Sequence, residues 1–297
     1  MNSLTTHQPA TTAHTESSHL IGCKNCGNQF TGRYCNQCGQ RSDTHRINWH
    51  YIWHEIPHSV WHVDHGILFT FKELFTRPGY TIREFLDGKR IHHYRPLALI
   101  LLLGAILIFL SRSLDVHVTE RVNEFTNAQQ EQSETLKNFQ QDLNGFLERN
   151  QHLTTLIMVP VTAFFMWLFF RRKSLNFPEH LVANTFLGVI GLVMAIIMIL
   201  LIKLIGASAS GFATSLGLGV LVNVGYVLFA YAQLFKTEMT PFKAVLRALA
   251  GWLAGYFTTI FVLTILGVAY LFLTGFDDLK REAQLKKART QQGVPKK

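Results

Sequence analysis

From Pro96 onward the chain carries apolar runs that only a lipid solvent accounts for, and this change of solvent constrains every other reading. A bilayer core of about 30 Å asks for about 20 apolar helical residues. Five stretches approach or exceed that length: 97–111, 153–170, 181–202, 212–235 and 248–276. The first is short, with sixteen residues between Arg95 and Arg112, and snorkelling of the two arginines makes up the difference. The second carries Pro160, an expected kink. Charged residues make up 16% of the chain, against about 25% in soluble proteins, and the apolar runs account for the deficit. The expected fold is an all-α polytopic membrane protein of about five transmembrane helices. It carries a small N-terminal head and interfacial amphipathic helices.

Charge placement sets the expected orientation. Arg171, Arg172 and Lys173 follow the second run, and Lys236, Lys243 and Arg247 lie between the fourth and fifth. The positive-inside rule puts both loops in the cytoplasm, and with them the N-terminus. Residues 112–152 hold four basic and seven acidic side chains and read as an external loop. Five spans then leave the strongly basic tail, 277–297, on the external side, against the same rule. Residues 1–20 are rich in Thr, Ser and His and contain no apolar run of signal-peptide length, so they read as a disordered leader. The net charge of +9 is distributed beside spans and in the tail, a membrane-surface pattern rather than a nucleic-acid footprint.

All four cysteines fall within residues 21–42, as Cys23-Lys-Asn-Cys26-Gly27 and Cys35-Asn-Gln-Cys38-Gly39. A CxxC pair lets two thiolates grip one ion from a tight turn, and the following glycine frees the backbone to aim N–H groups at sulfur. Two such knuckles close a tetrahedral S₄ site, the preference of one structural Zn²⁺. A head with so few apolar residues needs the metal to fold. Four protein ligands leave no open coordination position, so the site reads as structural. Iron, a redox dithiol or, in an oxidising compartment, two disulfides are the alternatives. Lys24, Arg33, Arg41 and Arg46, with Phe30 and Tyr34, fall below the basic density expected of a nucleic-acid binder. A protein partner is the expected contact.

Residues 43–96 link head and membrane. His50, His54, His58 and His62 recur every four residues, joined by His65, with Trp49, Trp53 and Trp61 interleaved. His50 and His54 on one helix face could bind metal, but Pro57 opposes a single helix through all four. Interfacial placement of the tryptophans is the simpler reading. Residues 66–76 read as an amphipathic helix lying on the cytoplasmic leaflet, with Ile67, Phe71, Leu74 and Phe75 on one side. Arg77-Pro78-Gly79 signals a turn, and Thr81 with Glu84 has capping-box spacing for a short helix that Gly88 stops. Lys89, Arg90 and Arg95 then flank the first span, where they would meet anionic lipid headgroups.

Inside the spans the polar residues are few. Gly211, Ser215, Gly219 and Asn223 form a stripe on the fourth, and Gly251 and Gly255 make a GxxxG on the fifth. Small residues at that spacing let helices pack closely, within one chain or in a homo-oligomer. No Asp, Glu or His falls mid-span, which argues against an ion-coupled transporter. Asn184, Asn223 and Gln233 are the polar sites if a small solute passes.

The run CKNCGNQFTGRYCNQCGQ, then DHGILFTFKELFTRPGYTIREFLDGKR and HYRP opening a helix, resembles a family of uncharacterised bacterial inner-membrane proteins. That family is defined as a domain of unknown function with a CxxCG…YCxxCGQ head. The five-span layout after Pro78-Gly79-Tyr80-Thr81 is also loosely similar to Yip1-type membrane proteins, which act in membrane traffic and organisation. The resemblance implies an inner-membrane location and supplies no reaction. With no nucleophile–base pair and no open metal site, the chain reads as non-enzymatic. The expected role is a cytoplasmic zinc ribbon that recruits or senses a partner, held by an anchoring bundle. A ribbon-regulated permease and a membrane-tethered nucleic-acid binder are the alternatives.

Overall fold

The structure, a computed structural model, describes residues 20–58, 66–114, 151–205 and 209–291. Two short strands, β1 (Ile21–Gly22) and β2 (Gln29–Phe30), pair antiparallel with Ile21 opposite Phe30. The rest is helical: α1 (Trp49–His58), α2 (Gly66–Thr76), α3 (Pro78–Leu86), α4 (Pro96–Ser113), α5 (Gln151–Phe170), α6 (Phe177–Ile205), α7 (Ala209–Leu234) and α8 (Pro241–Gln291). Residues 1–19, His62, His65 and most of the expected external loop lie outside the described residues.

Among the described residues, four helices are long and apolar enough to cross a membrane: α4, Phe177–Leu204 of α6, Gly217–Leu234 of α7 and Pro241–Tyr270 of α8. Within α5 the apolar stretch among the described residues is Ile157–Phe170. α5 packs within the bundle, antiparallel to α8. A Cβ on Gly255 would lie 2.8 Å from Thr162 Cα, and one on Gly251 would lie 3.0 Å from Met166 Sδ. At Gly255 α5 approaches too closely for a side chain, whereas at Gly251 the Met166 thioether would have to give by a few tenths of an ångström. α7 runs antiparallel to α6, with Asn223 at Gly191 and Tyr231 at Asn184. α4 runs parallel to α6, with Ile100 against Gly188 and Leu114 receiving the Lys203 ammonium.

These directions gather one set of ends on a common side. The start of α4, the loop 171–176 and the loop 235–240 all surround α3, whose Arg83 donates to Ser174 Oγ, the Leu234 carbonyl and Glu238. The segment 77–95, from α3 to the start of α4, is the hinge, so this is the hinge side; Leu114 and Lys203 mark the far side. α8 crosses and continues as unbroken helix to Gln291, so much of the basic tail is an extension of the last span.

Three local expectations change. α3 starts at Pro78, with proline in the first turn where its missing N–H costs nothing, so Thr81 is interior and not an N-cap. Its hydroxyl donates to the carbonyls of Arg77 and Glu73 instead. Pro78-Gly79 is therefore the first turn of a helix, and Gly79 is a contact point: a Cβ there would fall 2.3 Å from the Ala230 carbonyl oxygen and 2.5 Å from Leu234 N. On α2, Leu74 is fully buried and Ile67 and Phe71 pack on the core, whereas Phe75 faces outward with Leu68. The core joins α2 and α3 to α4, α6 and α7, because Phe85 meets Phe186 edge-on and Ile82 and Leu99 are fully buried.

Candidate metal centre and its seat on the bundle

The two knuckles fold alike. Gly27 N–H donates to the Cys23 carbonyl and Cys23 N–H to that of Asn28; twelve residues on, Gly39 N–H donates to Cys35 and Cys35 N–H to Gln40. Gly27 and Gly39 adopt φ of 76° and 75°, a left-handed conformation that only glycine takes without strain. The turns bring Cys23, Cys26, Cys35 and Cys38 together, with all four sulfur atoms within 4.8 Å of one another. The Cys23–Cys38 and Cys26–Cys35 sulfurs lie 3.5 and 3.6 Å apart. A tetrahedral site with bonds of about 2.3 Å has sulfur–sulfur edges of about 3.8 Å, so the cluster fits one ion. Asn28 adds an N–H 3.9 Å from the Cys35 sulfur.

Electrostatics point the same way. Burial pushes the Cys35 thiol up, but the N–H groups of Cys38 and Gln37 outweigh it and bring it down to about 6. At Cys26 the Asn28 N–H lowers the thiol, yet desolvation and the three neighbouring sulfurs push it up to about 12. Four crowded sulfurs cannot all ionise unaided, and a bound cation is what allows it. Among the described residues this is the one grouping of His, Cys, Asp and Glu with metal-binding geometry.

The centre is seated on the hinge by Gln40, which sequence reasoning passed over, together with Lys24 and Arg90. Gln40, next to the second knuckle and buried, donates from Nε2 to the Gly88 carbonyl at 2.8 Å and accepts from Arg90 N–H at 3.0 Å. Those two backbone groups sit where α3 ends. Gly88 (φ 103°) donates to the Phe85 carbonyl and Lys89 N–H reaches back to that of Glu84, a Schellman stop. Lys24, from the first knuckle, lies over Gly88 and donates to the Thr44 carbonyl. Arg90 turns inward as well: its guanidinium donates to the Phe85 and His45 carbonyls and stacks over Tyr51 and Phe85. Lys89 lies 3.6 Å from Glu84, and Arg95 precedes α4 as its N-cap residue.

A second clamp holds the linker to α6. Asn176 Oδ1 accepts from Glu179 N–H while Glu179 accepts from Asn176 N–H, a reciprocal capping box. Arg46 then forms a two-pronged ion pair with the buried Glu179, at 2.6 and 2.8 Å. The spacing Asn176-Phe-Pro-Glu179 was a readable helix start. Just beyond it lies a polar group that the sequence reading missed by beginning the span at 181. His180 is fully buried, with Nδ1 3.2 Å from the Tyr231 hydroxyl, which also accepts from Asn184 at 2.9 Å. Phe170, Tyr231 and Phe235 surround its ring.

The remaining expected residues lie in the bundle. Gly219 faces Met198, Asn223 faces Gly191, and Ser215 and Gly211 lie earlier on α7. Gln233 accepts the Gly79 N–H at 3.0 Å.

A family described as Protein of unknown function (DUF3667) matches residues 64–108, which are α2, α3 and the first two-thirds of α4. The segment is similar to that family, and the four cysteines lie outside the match. No curated protein matches the chain. No solved structure matches it. The likeness to Yip1-type proteins finds no support among these comparisons.

Proposed function

We propose that this is a non-enzymatic integral membrane protein of the bacterial inner membrane. Its head carries one structural zinc in the cytoplasm and recruits or senses a protein partner, while the bundle anchors it. The observation that carries the reading is the Gln40 clamp, through which the metal knuckle itself grips the end of α3. A head docked in this way keeps one face for a partner, where Tyr34 is 61% exposed. The nine cations from Lys89 to Arg247 beside the hinge-side ends support a cytoplasmic hinge side under the positive-inside rule. The test is in-cell photo-crosslinking from position 34. A discrete protein adduct that disappears in Cys35→Ser is expected; an adduct that persists without the metal site argues against recruitment by the ribbon. The buried His180–Tyr231–Asn184 group favours one second reading, a permease-like bundle regulated by the ribbon. Under that reading His180→Phe abolishes solute uptake in vesicles while leaving the position-34 adduct intact.

A further inference from the structure

The outward side of α2 points to lipid. Leu68, Phe69, Lys72, Phe75 and Thr76 share one arc of this helix and are exposed, Leu68 by 81% and Phe75 by 51%. The opposite arc, with Thr70 and Leu74, is buried against the bundle. A helix apolar on both sides, with one side covered by protein, needs an apolar environment for the other.

Its depth identifies that environment. At the start of α2 a Cβ on Gly66 would touch the His92 carbonyl, and Thr70 Oγ1 accepts from Tyr94 N–H at 2.7 Å, both just outside the first span. Toward its end the Leu74 carbonyl accepts from the Tyr226 hydroxyl at 2.9 Å. Tyr226 lies three residues to the hinge side of Asn223, which meets α6 at Gly191, so it shares the level of Gly188 and Ile100. Ile100 is four residues, or about 6 Å, inside the start of α4. α2 therefore slopes from the edge of the span into the leaflet, to the depth of about 5–10 Å at which in-plane helices settle. The turn at its deep end is dressed accordingly. Arg77 pairs with both Glu73 and Glu84, and the hydroxyls of Thr76 and Thr81 donate to carbonyls of the preceding turn. Polar groups satisfied within the chain are what a turn among lipids requires.

We propose that α2 is a lipid-contact helix whose outward arc meets phospholipid of the hinge-side leaflet, with Leu68 at the headgroup boundary and Phe75 among the acyl chains. Lys72 reaches from the same arc to the headgroups. The occupant is lipid rather than a second copy, because the arc continues the level of the spans' own lipid-facing surface. The test places p-benzoyl-phenylalanine at position 68 or 75 of the full chain in nanodiscs of phosphatidylethanolamine and phosphatidylglycerol. Position 109, on an exposed side of α4, is the lipid-facing control, and position 34 on the head is the aqueous one. After illumination, intact mass should show addition of one phospholipid at 68 and 75, comparable in yield to 109 and absent at 34. Adducts at 109 without adducts at 68 and 75 would overturn the proposal, as would chain-to-chain crosslinks in their place. Neither outcome depends on whether the head binds zinc.

Discussion

At the scale of single residues, Gly79 and Gln40 carry the most consequence. A side chain at 79 meets backbone atoms of α7, which cannot rotate away as a side-chain tip can. Gly79→Ala is predicted to destabilise the protein by roughly 1–3 kcal/mol through overpacking. Denaturation in mild detergent measures it; an unchanged midpoint would mean that α3 does not rest on α7 as described. Gln40→Leu removes two hydrogen bonds to the hinge, at about 1 kcal/mol each. The expected result is faster hydrogen exchange over 84–90 with the metal still bound, since no ligand is touched. Loss of metal in that variant would place Gln40 in the site's own folding rather than in its docking.

The elements of the hinge side are joined by α3, and their polar lock has a pH signature. Burial raises the Glu238 carboxyl, but hydrogen bonds from Ser174 and Arg83 outweigh it and hold it below the ordinary carboxylate range. A folded-state value below the unfolded one means that folding favours the charged form. Its contribution is complete above pH about 4.5 and fades as pH falls through the lower folded value. Glu238→Gln should therefore lower stability at neutral pH and flatten the acid limb below about pH 4.5. An identical acid limb in wild type and variant would remove Glu238 from the lock. This lock was not legible in the sequence, because Arg83, Ser174 and Glu238 are far apart in the chain and none has a local pattern. The knuckles were legible, since CxxCG spacing dictates its own geometry. Gly88 as a stop was legible for the same local reason. Thr81 misled because Pro78 provides an equally local and stronger start three residues earlier. His180 was hidden by hydropathy, which ends a span at its first polar residues although Glu179 and His180 belong to the helix.

For the whole molecule, the ion pairs and hydrogen bonds among α3, 171–176 and 235–240 place these segments on one side of the bundle. Single cysteines introduced at Arg172 and at Thr237, scored against the parent chain with its four native cysteines, should react with an impermeant maleimide from the same face of oriented vesicles. A cysteine at Leu114 should react from the other. Reaction of all three from one face would break the arrangement of α4 to α7. The head's seat on the hinge depends on its being a metal-built ribbon. The most direct measurement is metal content per chain of protein purified in mild detergent, with free thiols counted alongside. One zinc per chain, lost on Cys35→Ser together with protection of the Gly88 region, is the predicted result. A metal-free chain whose hinge stays equally protected with and without Cys35 would contradict it.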